Sequence, residues 1–128
     1  MRRFAVGLCA TLVLLSGCSG VAQQDASAVA VAFVHADAAR ECELLAPSTV
    51  KAVESGSGTS CAVALPQLNL PRTAEVRRVE VAVESAQVQF DDQVLFLARF
   101  PGGWRVTAAG CVRDDPDPAL PYKCEVRP

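Results

Sequence analysis

The apolar positions of the chain fall into four stretches of different periodicity. Phe4 to Leu15 is almost wholly apolar, interrupted only by small residues and Thr11, and follows Arg2 and Arg3. A run of about twelve apolar residues is too short to span a hydrocarbon core, which needs roughly twenty helical residues. It fits the hydrophobic region of an export signal instead. From Ala26 to Leu45 the chain is rich in Ala, and Val29, Phe33, Ala36, Leu44 and Leu45 mark an apolar stripe at helical spacing. Asp37 is placed to cap a new helix, which predicts a break near Ala36 and a second short helix carrying Cys42. Pro47 ends that helix or sits in the first turn of the next, over Ser48 to Glu54, because proline is tolerated there and not in a helix interior. Ser55 to Ser60 reads as a flexible loop, and Ala62 to Leu68 as a further helical turn or two, stopped by Pro66 or Pro71.

After Pro71 the period becomes two. Val79, Val81 and Val83 alternate with polar residues, then Ala86, Val88 and Phe90 alternate with Gln87 and Gln89. Asp91-Asp92 makes a turn, Val94 to Phe100 a third strand, Pro101-Gly102-Gly103 a hairpin signal, and Trp104 to Cys111 a fourth strand. Short connections imply an antiparallel meander. Helices followed by a run of strands indicate the α+β class, with the helices covering one sheet face. The tail from Val112 to Pro128 lacks periodicity and reads as an extended segment.

Taken by alternation, the inward positions are Val79, Val81, Val83, Val88, Phe96, Phe100 and Trp104. The third strand is apolar on both faces, with Val94, Phe96, Ala98 and Phe100 on one and Leu95 and Leu97 on the other. A strand of that kind is usually covered on both sides. Leu95 and Leu97 are therefore expected on an outer face covered by the tail, by a second copy or by an envelope protein. Trp104, the single tryptophan, is a candidate ligand platform or a core anchor.

The apolar leader ends in Leu15-Ser16-Gly17-Cys18. This tetrapeptide, placed directly after the apolar run, resembles the bacterial lipobox, in which the Cys thiol is acylated and becomes the first residue of the mature protein. The resemblance implies residues 1–17 as a lipoprotein signal peptide, Cys18 as the lipidation site, and a membrane location on the extracytoplasmic face. Phe4-Ala5-Val6 does not continue a twin-arginine motif after Arg2-Arg3. Ser19 to Asp25 reads as a short polar tether, so that residues 18–25 link the lipid to a single domain over residues 26–128.

Removing residues 1–17 leaves 111 residues, enough for one compact domain. It takes Arg2 and Arg3 from the 12 basic residues and nothing from the 14 acidic ones, leaving a net charge of about −4. That argues against nucleic acid or anionic headgroups as electrostatic partners. Cys9 leaves with the signal, and Cys42, Cys61, Cys111 and Cys124 remain beside Cys18. An even number in an exported chain reads as two disulfides, with three connectivities open. Cys42–Cys61 and Cys111–Cys124 are favoured because each pair encloses a short Pro-, Gly- or Ser-rich loop. The close Cys spacings of zinc sites are missing, so no metal is expected.

Residues 32–37 leading into Cys42-Glu43-Leu44-Leu45-Ala46-Pro47, and residues 94–100 followed by Gly103-Trp104-Arg105-Val106, resemble small actinobacterial lipoproteins of the NTF2-like (cystatin-like cone) type. The resemblance covers residues 26–111 and implies helices packed into the concave side of a curved four-stranded sheet. That fold hosts enzymes, ligand binders and dimerising scaffolds, so it fixes no activity.

Chemistry is sparse in the sequence. The inward positions carry no group able to transfer a proton. His35 is the only histidine, Asp37 two residues away does not face it on a helix, and no metal partner stands at the fourth position beyond it. His35 therefore reads as a surface or helix-end residue. A carboxylate such as Asp37 or Glu41 is the remaining candidate for a cone mouth. The acidic run Asp114 to Asp117 is stiffened by Pro116 and Pro118 and lacks a glycine-turned calcium loop. The expectation is a non-catalytic interaction or small-ligand-binding module without a cofactor, possible partners being a second copy or an envelope protein. The competing class is an enzyme or apolar-ligand carrier that uses the cone interior.

Overall fold

The computed structural model describes residues 17–128, so the expected signal segment lies outside the described residues but for Gly17. Four helices precede four strands: α1 (Gly17–His35), α2 (Ala38–Leu44), α3 (Pro47–Ser57), α4 (Cys61–Ala64), β1 (Val76–Ala82), β2 (Ser85–Phe90), β3 (Val94–Phe100) and β4 (Gly103–Cys111), with a 3₁₀ turn at Leu65–Leu68. The strands form one antiparallel sheet in the order β1-β2-β3-β4. This is the expected α+β arrangement, helices first and a meander after.

The helix boundaries follow their local chemistry. Asp37 caps α2, its Oδ1 accepting the Arg40 backbone N–H at 2.9 Å. Pro47 occupies the first turn of α3, and Gly58 closes that helix in the left-handed conformation, φ 72°. The loop expected from Ser55 is shorter than its composition suggests, because α3 runs on to Ser57. Residues 19–25 also differ from expectation: the polar tether is the opening of α1, with Ala22 packed on the core and Ala26 fully buried. Between Gly20 and His35 nothing breaks the helix, and the Ala-rich composition favours it.

Ala26, Ala30, Phe33 and Val34 lay α1 on the inner sheet face, against Ala86, Val88, Phe90, Leu95, Leu97, Trp104 and Val106. The alanines permit close approach of helix and sheet, and Phe33 fills the space between. Two irregularities in the β3–β4 ladder, between Val106 and Ala108 and between Ala108 and Cys111, place extra residues on β4. Such bulges bend the strand and change which side chains face inward. Ala109 joins the helix-covered core, whereas Ala108 faces a second cluster with Val94 and Cys111.

Both disulfides take the favoured pairing, Cys42–Cys61 and Cys111–Cys124. The first joins α2 to α4. The second folds the tail back along β4, where Val112 bridges Lys123 and Ala109 bridges Val126. Val126 is 1% exposed, so the tail contributes to the core as well as covering an edge. Leu45 bridges Val106 further along, and Ala46 N donates to Val106 O at 2.8 Å. The outer edge of β4 is thus closed by two non-adjacent segments. The β1 edge is open and carries Arg77 and Arg78, which pair with Asp91, Glu75 and Glu80. Charge on an exposed edge discourages pairing with another chain.

Gly110 shows how tightly the tail is seated. Its φ is 64°, and a Cβ there would lie 3.0 Å from Glu125 and Leu70 side-chain atoms. Its N–H donates to the buried Gln93 Oε1, while Gln93 Nε2 donates to Pro71 O. One glutamine therefore ties the β2–β3 turn, the segment before β1 and the β4 bulge.

Val83 is a correction to the sequence reading. Expected as an inward strand position, it lies in the β1–β2 turn, 90% exposed, with φ 55°. A β-branched side chain in the left-handed region is strained by about 1–2 kcal/mol, whereas Asn tolerates that region. Val83→Asn should therefore stabilise the domain by about 1 kcal/mol. Thermal unfolding followed by circular dichroism checks this: a higher midpoint is expected, and an unchanged or lower one contradicts the strain.

Candidate functional site

The interior between helices and sheet is packed. Phe33, Leu45, Leu65, Val88, Leu95, Leu97 and Val106 are each at most 1% exposed. Leu95 and Leu97, expected on the outer face, thus lie under the helices, and Phe96 and Phe100, expected inward, lie outside. Alternation assigns β3 residues to two sets but cannot say which set meets the helices when both are apolar. Trp104 is 7% exposed in the same core, with the Arg99 guanidinium 4.8 Å above its ring. It anchors the end of β4 by packing.

The outer sheet face is built from Val94, Phe96, Ala98 and Phe100 of β3, flanked by the polar outer positions of β1, β2 and β4. The tail covers only its upper part. Tyr122 meets Phe96 edge-on at 5.2 Å, accepts a hydrogen bond from Gln87 Nε2 at 3.0 Å, and lies under the Arg113 guanidinium at 4.2 Å. Below Tyr122 a groove of about 520 Å³ stays open, lined by Glu80, Ala82, Ser85, Gln87, Phe96 and Ala98 among others. Its floor is apolar, its two hydroxyls are used internally (Ser85 Oγ donates to Ala82 O at 3.0 Å and Thr107 Oγ1 to Phe96 O at 3.1 Å), and Glu80 is paired with Arg78. Such a surface offers contact area and a few hydrogen bonds. It lacks a nucleophile next to a base.

The buried charge lies elsewhere. Glu41 of α2 is 0% exposed, and its Oε1 accepts from Arg72 Nη1 at 2.6 Å. The same nitrogen donates to the carbonyls of Val34 and Ala36 at 3.3 and 3.2 Å. Arg72 therefore closes the break between α1 and α2, satisfying carbonyls that the ending helix leaves free. Glu41 Oε2 has no hydrogen-bond partner. Burial pushes the Glu41 carboxyl above its ordinary value, Arg72 opposes that shift through charge and hydrogen bond, and Asp37 adds to it. Sequence reasoning named Glu41 as a cone-mouth carboxylate; the structure makes it a structural lock. A signal for this existed only in Arg72, an arginine between Pro71 and Thr73 with no periodicity to explain it.

His35 stands exposed at the end of α1, and Asp37 spends its carboxylate on the α2 cap. In the acidic run, Asp114 pairs with Lys123, Asp115 Oδ1 accepts from Asp117 N–H, and Asp117 Oδ1 accepts from Ala119 N–H.

The lock has a pH signature. Arg72→Ala leaves a buried carboxylate without its cation, which should cost about 2–3 kcal/mol at neutral pH, toward the low end of the range because Arg72 is half exposed. A carboxyl whose folded pKa is raised contributes its stability below the unfolded pKa and loses it as pH rises through the folded value. The deficit of Arg72→Ala should therefore shrink between pH 7 and pH 4 as Glu41 protonates. Urea unfolding at the two values measures it, and a deficit independent of pH contradicts the assignment.

No family model, curated protein or solved structure matches the chain.

Proposed function

We propose that this chain is a lipoprotein, cut before Cys18 and held by lipid on that cysteine at the extracytoplasmic face of a cell membrane. Its domain, read as a small NTF2-like cone, acts as a non-catalytic interaction module. The observation that carries the second part is the filled interior. An enzyme or carrier of this architecture needs a cavity with convergent polar groups between helices and sheet. That space is occupied by Phe33, Leu65, Val88, Leu95, Leu97 and Val106, and the buried carboxylate of Glu41 is committed to Arg72. What stays accessible is the half-covered apolar outer face of β3, and the proposed partner, a second copy or an envelope protein, meets the domain there.

The first part is supported by Leu15-Ser16-Gly17-Cys18 after an apolar run, and by two disulfides, which suit an oxidising compartment outside the cytosol. Among the described residues, no helix is long and apolar enough to cross a membrane. A lipid on Cys18 supplies the attachment.

The two parts are tested separately. Cys18→Ser should lose the acyl mass and move the protein from the membrane to the soluble fraction; an unchanged mass and location refutes the lipidation. For the outer face, a photo-cross-linking residue replaces Ala98, and a control replaces exposed Ala39 on α2. Irradiation of intact cells should give one discrete adduct from position 98 and none from position 39. Equal or absent adducts at both positions contradict an interaction face on β3.

A further inference from the structure

We infer that the end of the domain formed by the β1–β2 and β3–β4 turns rests directly on the bilayer, with Val83 and Val21 seated in its interfacial layer. The inference deepens the proposal above and rests on lipidation of Cys18.

The direction of α1 fixes which end faces the membrane. Asp25, Ala28 and Val29 line one groove with Gly102, Gly103 and Trp104, so the middle of α1 lies beside the β3–β4 turn. The last residues lie at the other end, where Arg72 holds the Val34 and Ala36 carbonyls and Gln93 of the β2–β3 turn binds the neighbouring Pro71. In an antiparallel meander the β1–β2 and β3–β4 turns share an end. Here Ser85 pairs with Ala98, and Phe100 with Gly103. Both turns therefore lie at the end from which α1 begins.

Cys18 is within the first turn of α1. At 1.5 Å per helical residue its backbone stands about 12 Å from that of Ala26, the first fully buried core residue. A continuous helix replaces slack chain, so an acyl group on Cys18 draws this end of the domain against the headgroups.

The residues there suit that contact. Val83 is 90% exposed and Val21 58% exposed. Val83 is strained as well as exposed, and in the isolated domain it makes no packing that offsets its left-handed backbone. Burial of its methyl groups in a bilayer interface supplies the missing compensation. Most of the exposed acidic residues of the turns and tail lie at the other end, Glu84 beside Val83 being the exception. Asp91-Asp92 occupies the β2–β3 turn, and Asp114 to Asp117 follows the distal end of β4. Anionic headgroups repel carboxylates, which favours this orientation over its inverse.

The test uses the full lipidated chain in vesicles of phosphatidylcholine and phosphatidylglycerol, with hydrogen exchange read by mass spectrometry. The reference is the Cys18→Ser chain in buffer. Vesicle flotation and intact mass establish first that the protein carries lipid and is bound; failure at that step overturns the lipoprotein reading and this inference with it. With lipid present, amides of residues 82–85 and of Gly102 and Gly103 should exchange several-fold more slowly on vesicles than in the reference, while residues 91–93 do not change. Val83→Asp should abolish the protection at 82–85, and Val83→Asn, which preserves the turn, should weaken it. Lipidated, floating protein with no protection at either turn, or with protection at residues 91–93, overturns the orientation while leaving the anchor intact.

Discussion

Everything in this domain hangs on the seating of α1 across the inner face of the sheet. Ala26 and Ala30 bring the helix backbone close to the strands, and Phe33 and Val34 fill the space beyond them. The strands supply Val88, Leu95, Leu97 and Val106 as the opposing layer, and no position in that layer remains for a ligand. Hydrophobic burial on this scale is the dominant stabilising term for a small domain, and the disulfides add to it by restricting the unfolded chain, at about 3 kcal/mol each in a model-dependent account. The same packing decides what the domain offers to others. A domain whose interior is consumed by its own core can meet a partner only from outside.

The polar and covalent ties are arranged around that core. Arg72 and Glu41 secure the break where α1 ends, Gln93 secures the distal turn, and Cys111–Cys124 returns the tail so that Val126 enters the core. The tail then gives Tyr122 to the outer face without covering all of it. Two of the surfaces left accessible carry apolar side chains beyond the core. One is the groove beside Phe96 and Ala98, and the other is the turn end carrying Val83.

Much of the architecture is legible in the sequence because its signals are local. Asp37 marks a cap, Pro47 a first turn, and the alternation from Val79 to Phe90 two strands. Short enclosed loops favour the disulfide pairing that the structure has over the two alternatives. Four features are not local. The faces of β3 are ambiguous because both are apolar, and only packing of α1 tells Leu95 and Leu97 from Phe96. Val83 continues the alternation of Val79 and Val81, so nothing marks it as a turn residue; Gly or Asn would have done so. The segment Ser19 to Asp25 looks like a polar linker by composition, yet its residues are compatible with helix and extend one that is nucleated by burial further on. The lock between Glu41 and Arg72 spans 31 residues and leaves no pattern in either neighbourhood.

The extension of α1 to Cys18, the proposed lipidation site, has the sharpest consequence, since a helix in place of a tether would leave no space between domain and bilayer. Neutron reflectometry of the lipidated chain on a supported bilayer measures that space. Protein density should start at the headgroups with no hydrated layer between. A water-filled gap of tens of ångströms, as a slack tether allows, contradicts it.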